Sequence, residues 1–372
     1  MDFIDFTLFN IFLNQLDNSI YLICSIQNYP INENDIDIDV MINKLDLINR
    51  INKVDSNINN NFYKKIVKDN HEPILIFIYN LNNNLDLIQL VNSKEDIYIA
   101  IKYKNKKYID KLATQISQLN RINNINTNNR LNLLNHNYFL TVTTLFKDDF
   151  NLFPIYYKYY KSQGVDHFYL YYNNNIENLD QNFYKYINSL NDVTLTEWNY
   201  RYLNDDSTKY KHHAQLGQIH DALYRFGKNN SKYMIFNDFD EYFKIKGITI
   251  KNYLLNNPNV STFGFCNRWS TTVDKQIPTE LPNTFLYGEK HDHGNRSKNI
   301  LKVEDIETTG IHGYLDSITY NIVNPTRILN LDMFHFYNWS NKKRTYDTPY
   351  IYKLKDSHIK NNTITLLRQI KR

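Results

Sequence analysis

The sequence predicts an α/β protein: a mixed, mostly parallel sheet flanked by helices, preceded by a smaller α/β domain. Three observations carry this reading. Strand-type apolar runs alternate with stretches of helical spacing, a βαβ unit is legible over residues 138–172, and the apolar run 233–236 ends abruptly in Asn237-Asp238-Phe239-Asp240-Glu241.

Composition sets the outer limits. A chain of 372 residues with 42% hydrophobic and 15% aromatic content is long enough for two domains and apolar enough to bury a real core. The excess of Asn, Ile, Lys and Tyr resembles AT-rich coding, as in an organism or virus with such a genome. A net charge of +4 without a lysine or arginine block gives no footprint for nucleic acid. Cys24 and Cys266 stand far apart, which argues against a disulfide scaffold or a cysteine-built zinc site and suits a reducing, cytoplasmic compartment. The N-terminal run is apolar but opens with Asp2 and Asp5, so it reads poorly as a signal peptide, and no apolar stretch is long enough to span a bilayer.

The domain division predicted is 1–130, 131–345 and a C-terminal tail or helix over 346–372. In the first domain, strands are expected at 20–26, 73–79 and 97–103. The spacing of Tyr108, Ile109, Leu112, Ile116 and Leu119 predicts a helix over 106–122, and the Asn-rich stretch 123–130 reads as a linker. No catalytic constellation is visible there, and its role is left open.

The second domain opens with a near-continuous apolar run at 138–145, as in a strand buried on both faces. Residues 150–162, with Pro154 near their start and Gly164 after them, form the crossover helix, and 165–172 the second strand. A third strand is expected at 193–198, a helix over 209–226 ended by Gly227, and strands at 261–268 and 299–303. On extended backbone Asp238 and Asp240 share one side while Phe239 turns inward. Two carboxylates there suit an oxygen-ligated divalent cation, with open positions left for phosphate and water. An acidic loop that merely closes a strand is the plain alternative.

The run FLTVTTLFKDDFNLFPIYYKYYKSQGVDHFYLYYNNN, with Lys147-Asp148-Asp149, Gly164-Val165-Asp166-His167-Phe168 and Asn173, resembles the opening of glycosyltransferases of family 92 and the related family 2-like group. NDFDEYF is similar to that group's D-x-D-E-F, and NRSKNILK, GIHG and FHFYNWS resemble its later basic segment, histidine and closing stretch. Asp148-Asp149 replaces the usual Asn-Glu, and Asn173 a frequent aspartate. The resemblance covers residues 138–340 and implies a GT-A type nucleotide-sugar domain using Mn²⁺ or Mg²⁺, a UDP-sugar donor and a glycan or protein-linked acceptor.

Residue by residue, the resemblance implies that Asp240 ligates the metal, that Asp238 reaches the ribose or a metal-bound water, and that His312 or His335 completes the metal shell. Arg296 and Lys298 would hold the diphosphate, Asn173 would read the base or ribose, and Gln215 and Asp221 would face the donor. Glu289 or Asp292 would take the acceptor's proton in an inverting transfer. Each has its bland counterpart: a turn asparagine, a satisfied buried histidine, a solvated basic loop, an exposed helix face. Two other functions stay open, a metal-dependent nucleotidyltransferase and a catalytically inactive sugar-binding protein of the same fold. The turn at 147–150 lacks the glycine that a phosphate loop would carry, which counts against the first.

Overall fold

The computed structural model describes residues 6–14, 19–26, 36–41, 63–68, 74–80, 98–103, 106–111, 113–114, 137–202, 213–271, 277, 279–281, 286–287, 290–292, 296–313, 315–336 and 339. Two compact units emerge, one comprising Met1–His136, Tyr200–Asn230 and Glu307–Thr309, the other Asn137–Asn199, Ser231–Ile306 and Gly310–Arg372. The predicted linker 123–130 and tail 346–372 lie outside the described residues.

The first unit holds a five-stranded sheet in the order Tyr63–Lys68, Ile74–Asn80, Ser19–Ile26, Phe6–Asn14, Ala113–Thr114, and a three-stranded antiparallel sheet of Ile36–Met41, Tyr98–Tyr103 and Lys106–Lys111. Ile20, Leu22 and Ile23 share its core with Ile74, Leu75, Ile76 and Phe77, all 0–1% exposed. The helix expected over 106–122 is corrected. Lys106–Lys111 pairs antiparallel with Tyr98–Tyr103, Tyr98 opposite Lys111, and this ladder of backbone hydrogen bonds outweighs the helical spacing of the apolar residues; 115–122 lie outside the described residues. The helix expected over 209–226 is found at His213–Asp221 and belongs to this unit. Gly227 does not end it: the chain passes through a π turn at Ala222–Gly227 and continues to Asn230. At Gly217 the helix meets a strand so closely that a Cβ would stand 2.4 Å from the Phe9 ring.

The second unit is a mixed α/β domain. Its strands are labelled β1 (Tyr138–Phe146), β2 (His167–Tyr172), β3 (Val193–Glu197), β4 (Ser231–Phe236), β5 (Glu241–Lys244), β6 (Thr262–Thr271), β7 (Lys298–Lys302) and β8 (Arg327–His335), and its helices α1 (Phe153–Ser162), α2 (Gln181–Asn188) and α3 (Ile250–Leu255). The sheet order is β3-β2-β1-β4-β7-β6-β8-β5. β3, β2, β1 and β4 run parallel, as the βαβ reading expects. β7 is antiparallel to both neighbours, β8 lies parallel to β6, and β5 pairs antiparallel with β8 at the far edge.

Pro154 sits in the first turn of α1, where its missing N–H costs nothing. Gly164 closes the helix with φ +91°, and a Cβ there would meet Lys251 Cβ at 2.6 Å. The inner side of α1 is aromatic: Phe153, Tyr156 and Tyr160 are 0% exposed. Phe239 enters this cluster, its ring 5.2 Å from Phe146, 5.1 Å from Tyr156 and 5.5 Å from Phe153. Burial of a phenylalanine contributes about 1.5–3 kcal/mol, and here it anchors the acidic segment to the core. Among the described residues, no helix is long and apolar enough to cross a membrane.

Candidate active site

Beyond β4 the backbone does not stay extended. Glu241 N donates to Asp238 O at 3.1 Å and the Glu241 carboxylate accepts from Asp238 N at 2.9 Å, so residues 238–241 form a tight turn clasped by a side chain of its own. The turn is held from below by Asn237, whose Oδ1 accepts from Tyr156 OH (2.6 Å) and whose Nδ2 donates to Tyr160 OH (2.7 Å) and Glu241 O (2.8 Å). Tyr160 OH also donates to Glu241 O (2.9 Å) and accepts from Phe243 N (3.1 Å). Two buried tyrosines of α1 thus fix the place where the acidic residues leave the sheet.

The three carboxylates of the turn have different surroundings. Asp238 is the exposed one, with 36% of its side chain open, and Lys298 Nζ stands 3.3 Å from its Oδ2. Asp240 is buried, and His335 Nε2 lies 3.3 Å from its Oδ2. Glu241 is shared by Lys298 Nζ at 3.5 Å and His335 Nδ1 at 3.8 Å. Burial pushes the Glu241 carboxyl above its ordinary range, against the pull of Lys298 and His335, while Asp238 and Asp240 add to the rise.

Strand register explains why His335 arrives here. Glu241 lies opposite His335 across the β5–β8 pairing, and His335 lies opposite Trp269 across β8–β6, which puts the three side chains in one row on one face. That row depends on a bulge. Between Phe263 and Phe265 the partner on β8 jumps from Ile328 to Leu331, and Asn330 takes the left-handed φ of 64° that the extra residue requires. Without the extra residue every side chain beyond it would fall on the opposite face, His335 among them. The row continues outward: the Trp269 indole stacks on the His335 ring at 4.6 Å and 29°, and the Arg296 guanidinium stands 5.3 Å from the indole centre.

The other expected residues are placed as follows. Asn173 Nδ2 donates to Trp198 O at 2.9 Å, joining the carboxyl ends of β2 and β3. Gln215 Oε1 accepts from Tyr202 OH at 3.0 Å. Asp221, fully buried in the first unit, accepts from Asn10 Nδ2 at 2.5 Å and pairs with Arg225 at 3.3 Å. His312 accepts a hydrogen bond from Ser297 Oγ at its carbonyl, 2.8 Å. Asp292 is exposed, and Glu289 lies outside the described residues. Trp269 is the residue that sequence reasoning missed. Its signal was the alternation of Phe263, Phe265, Asn267 and Trp269, which carries one face of a strand three residues beyond the predicted 261–268.

Adjacent ligands of an octahedral ion with bonds of about 2.1 Å stand about 3 Å apart. The carboxylate of Asp240 and the imidazole of His335, 3.3 Å apart, fit a divalent cation of that kind as two neighbouring ligands. No group of three or more His, Cys, Asp or Glu side chains poised to hold a metal occurs among the described residues. An ion that also takes phosphate oxygens and water needs few protein ligands, one or two carboxylates in the case of Mg²⁺.

Fold and site together define a mixed α/β domain that gathers an acidic turn, a histidine and two cationic side chains at one end of its sheet. The chain belongs to glycosyltransferase family 92, whose family model matches residues 136–371, and glycosyl transfer is the class of reaction this membership supports. No curated protein matches the chain. Among solved structures it is similar to the crystal structure of HddC from Yersinia pseudotuberculosis, at 10% identity over 53% of this chain and 93% of that one. The TM-score is 0.28, and a likeness at that score carries no argument.

Proposed function

We propose that this protein is a metal-dependent glycosyltransferase of GT-A type that moves a sugar from a nucleotide-sugar donor, a UDP-sugar first among them, to a glycan or protein-linked acceptor. The observation that carries the proposal is the Asp240–His335 pair beside Lys298, at the end of β4 in a family 92 domain. Asp240 and His335 would hold Mn²⁺ or Mg²⁺, which when bound neutralises the diphosphate leaving group as a Lewis acid.

The chain's own residues would do the rest. Asp238, the open carboxylate of the turn, would face the donor, and Lys298 and Arg296 would supply fixed positive charge for the phosphates. Asp292, exposed on its loop, or Glu289 accepts the proton of the acceptor hydroxyl as its oxygen bonds to the anomeric carbon and the bond from that carbon to phosphate breaks.

The test is a thermal-shift screen of nucleoside diphosphates and of UDP- and GDP-sugars, with and without Mn²⁺, on wild type and Asp240→Ala. A ligand that binds only the folded state raises the melting temperature by mass action. A Mn²⁺-dependent rise with one nucleotide, lost in the variant, is expected. No rise with any nucleotide in wild type sinks the donor site.

A further inference from the structure

We propose that Trp269 is a positioning residue for the metal pair: its indole holds the His335 ring in the orientation that keeps Nε2 on Asp240. The proposal rests on the reading of Asp240 and His335 as metal ligands. Three features of the chain carry it.

His335 reaches two carboxylates from a buried position. Its Nε2 stands 3.3 Å from Asp240 and its Nδ1 3.8 Å from Glu241, and only 4% of its side chain is exposed. Both distances are longer than a tight hydrogen bond, so the flat face of the ring offers a firmer hold on its orientation than these two contacts do. The indole takes that face. It comes from the residue directly opposite on a parallel strand and lies nearly flat on the imidazole, 4.6 Å away at 29°.

Trp269 is itself held. It is 7% exposed, and the Arg296 guanidinium covers its ring at 5.3 Å. Arg296 adopts φ +54°, a left-handed conformation that is strained for an ordinary side chain and persists where its surroundings hold it. Indole is the aromatic side chain that attracts a cation most strongly, and arginine is the more frequent partner. Guanidinium, indole, imidazole and carboxylate therefore stand in sequence, each fixing the next.

The neighbouring residue on the same face fits this assignment. Asn267, two residues before Trp269, is 0% exposed, and among the described residues neither polar atom of its amide has a hydrogen-bond partner. A buried amide left without a partner calls for an explanation beyond the packing of its own strand. Groups that orient a metal ligand without touching the metal typically change affinity 10–100-fold when removed.

The experiment is a Mn²⁺ titration without nucleotide, followed by the electron paramagnetic resonance signal of the free ion, on wild type, Asp240→Asn, Trp269→Leu and Trp269→Phe. Wild type should bind, Asp240→Asn should not, Trp269→Leu should bind about 10–100-fold more weakly, and Trp269→Phe, which keeps a flat ring, should recover most of that loss. If wild type and Asp240→Asn are alike in failing to bind, the metal reading falls. If Asp240→Asn loses the ion while Trp269→Leu keeps wild-type affinity, or Trp269→Phe is as weak as Trp269→Leu, the positioning role alone is overturned. Should Trp269→Leu fail to fold, indole emission decides. Among only three tryptophans, Mn²⁺ but not Mg²⁺ should quench Trp269, and Trp269→Phe should lose that quench. Equal emission with the two ions overturns the proposal.

Discussion

Glu241 keeps 2% of its side chain exposed and sets its Oε2 3.5 Å from Nζ of Lys298, itself 4% exposed. This buried carboxylate is held by that ammonium, which also stands 3.3 Å from Asp238, together with the Asp238 N–H and the His335 ring. Since burial raises the Glu241 carboxyl above the usual 4.5, the folded protein binds this proton more readily than the unfolded chain. The sign follows: wild-type stability falls, relative to Glu241→Gln, as pH rises from about 4.5 through the raised value, and levels off above it. Lys298→Met should cost about 3–5 kcal/mol at neutral pH, because it strands the charge, and the loss should shrink as the medium is acidified. Urea unfolding across pH measures both. A Lys298→Met penalty independent of pH would show that the ammonium does not act through Glu241.

The two aspartates of the turn should separate by experiment. Asp240 faces His335 and Asp238 faces Lys298, so the proposed reading gives them different tasks. Asp240→Asn should abolish the Mn²⁺-dependent rise in melting temperature. Asp238→Asn should leave Mn²⁺ affinity within a few-fold of wild type and weaken nucleotide binding instead. Equal loss of metal binding in both variants would make the aspartates joint ligands.

Tyr160→Phe removes one oxygen and disturbs three partners. The hydroxyl donates to Glu241 O and accepts from Asn237 Nδ2 and Phe243 N, all in a fully buried setting. Leaving such groups unsatisfied costs about 1–3 kcal/mol each, partly offset here because Asn237 Nδ2 also reaches Glu241 O. A loss of about 2–3 kcal/mol in urea unfolding is expected, with an unchanged dependence on denaturant. A loss near zero would mean that the turn does not depend on α1.

Much of this arrangement could be read from sequence because it is local. The β1–α1–β2 unit shows in its apolar runs, Pro154 and Gly164, and Phe239 turns into the core as alternation expects. The turn itself could not be read, because the clasp between Asp238 and Glu241 breaks the alternation that would otherwise set both aspartates side by side. The alternation that ends in Trp269 is legible, but its place against His335 is not, because that comes from a pairing 66 residues away in sequence and from a bulge at Asn330 that shifts the register by one. The strand at Lys106–Lys111 fails for the same reason: its partner, not its own spacing, decides its form.

His167 should make the protein acid-sensitive well away from the acidic turn. The ring is 3% exposed, with Nε2 2.8 Å from Thr194 Oγ1 and the rings of Tyr138 and Tyr169 at 4.8 and 4.7 Å. Burial pulls its pKa from 6.5 down to about 4, with Asp192 raising it and Lys161 lowering it further. The fold therefore holds the neutral ring, and the unfolded chain binds the proton first as pH falls. The stability tied to His167 is complete above pH 6.5 and is lost progressively down to about 4, by about 3 kcal/mol at most. His167→Phe should be less stable than wild type at pH 8, having lost the bond to Thr194, yet should decline less between pH 6.5 and 4. Unfolding free energies of the two proteins at half-unit pH steps test this, and curves that run parallel across that window would place the histidine's charge outside the stability of the fold.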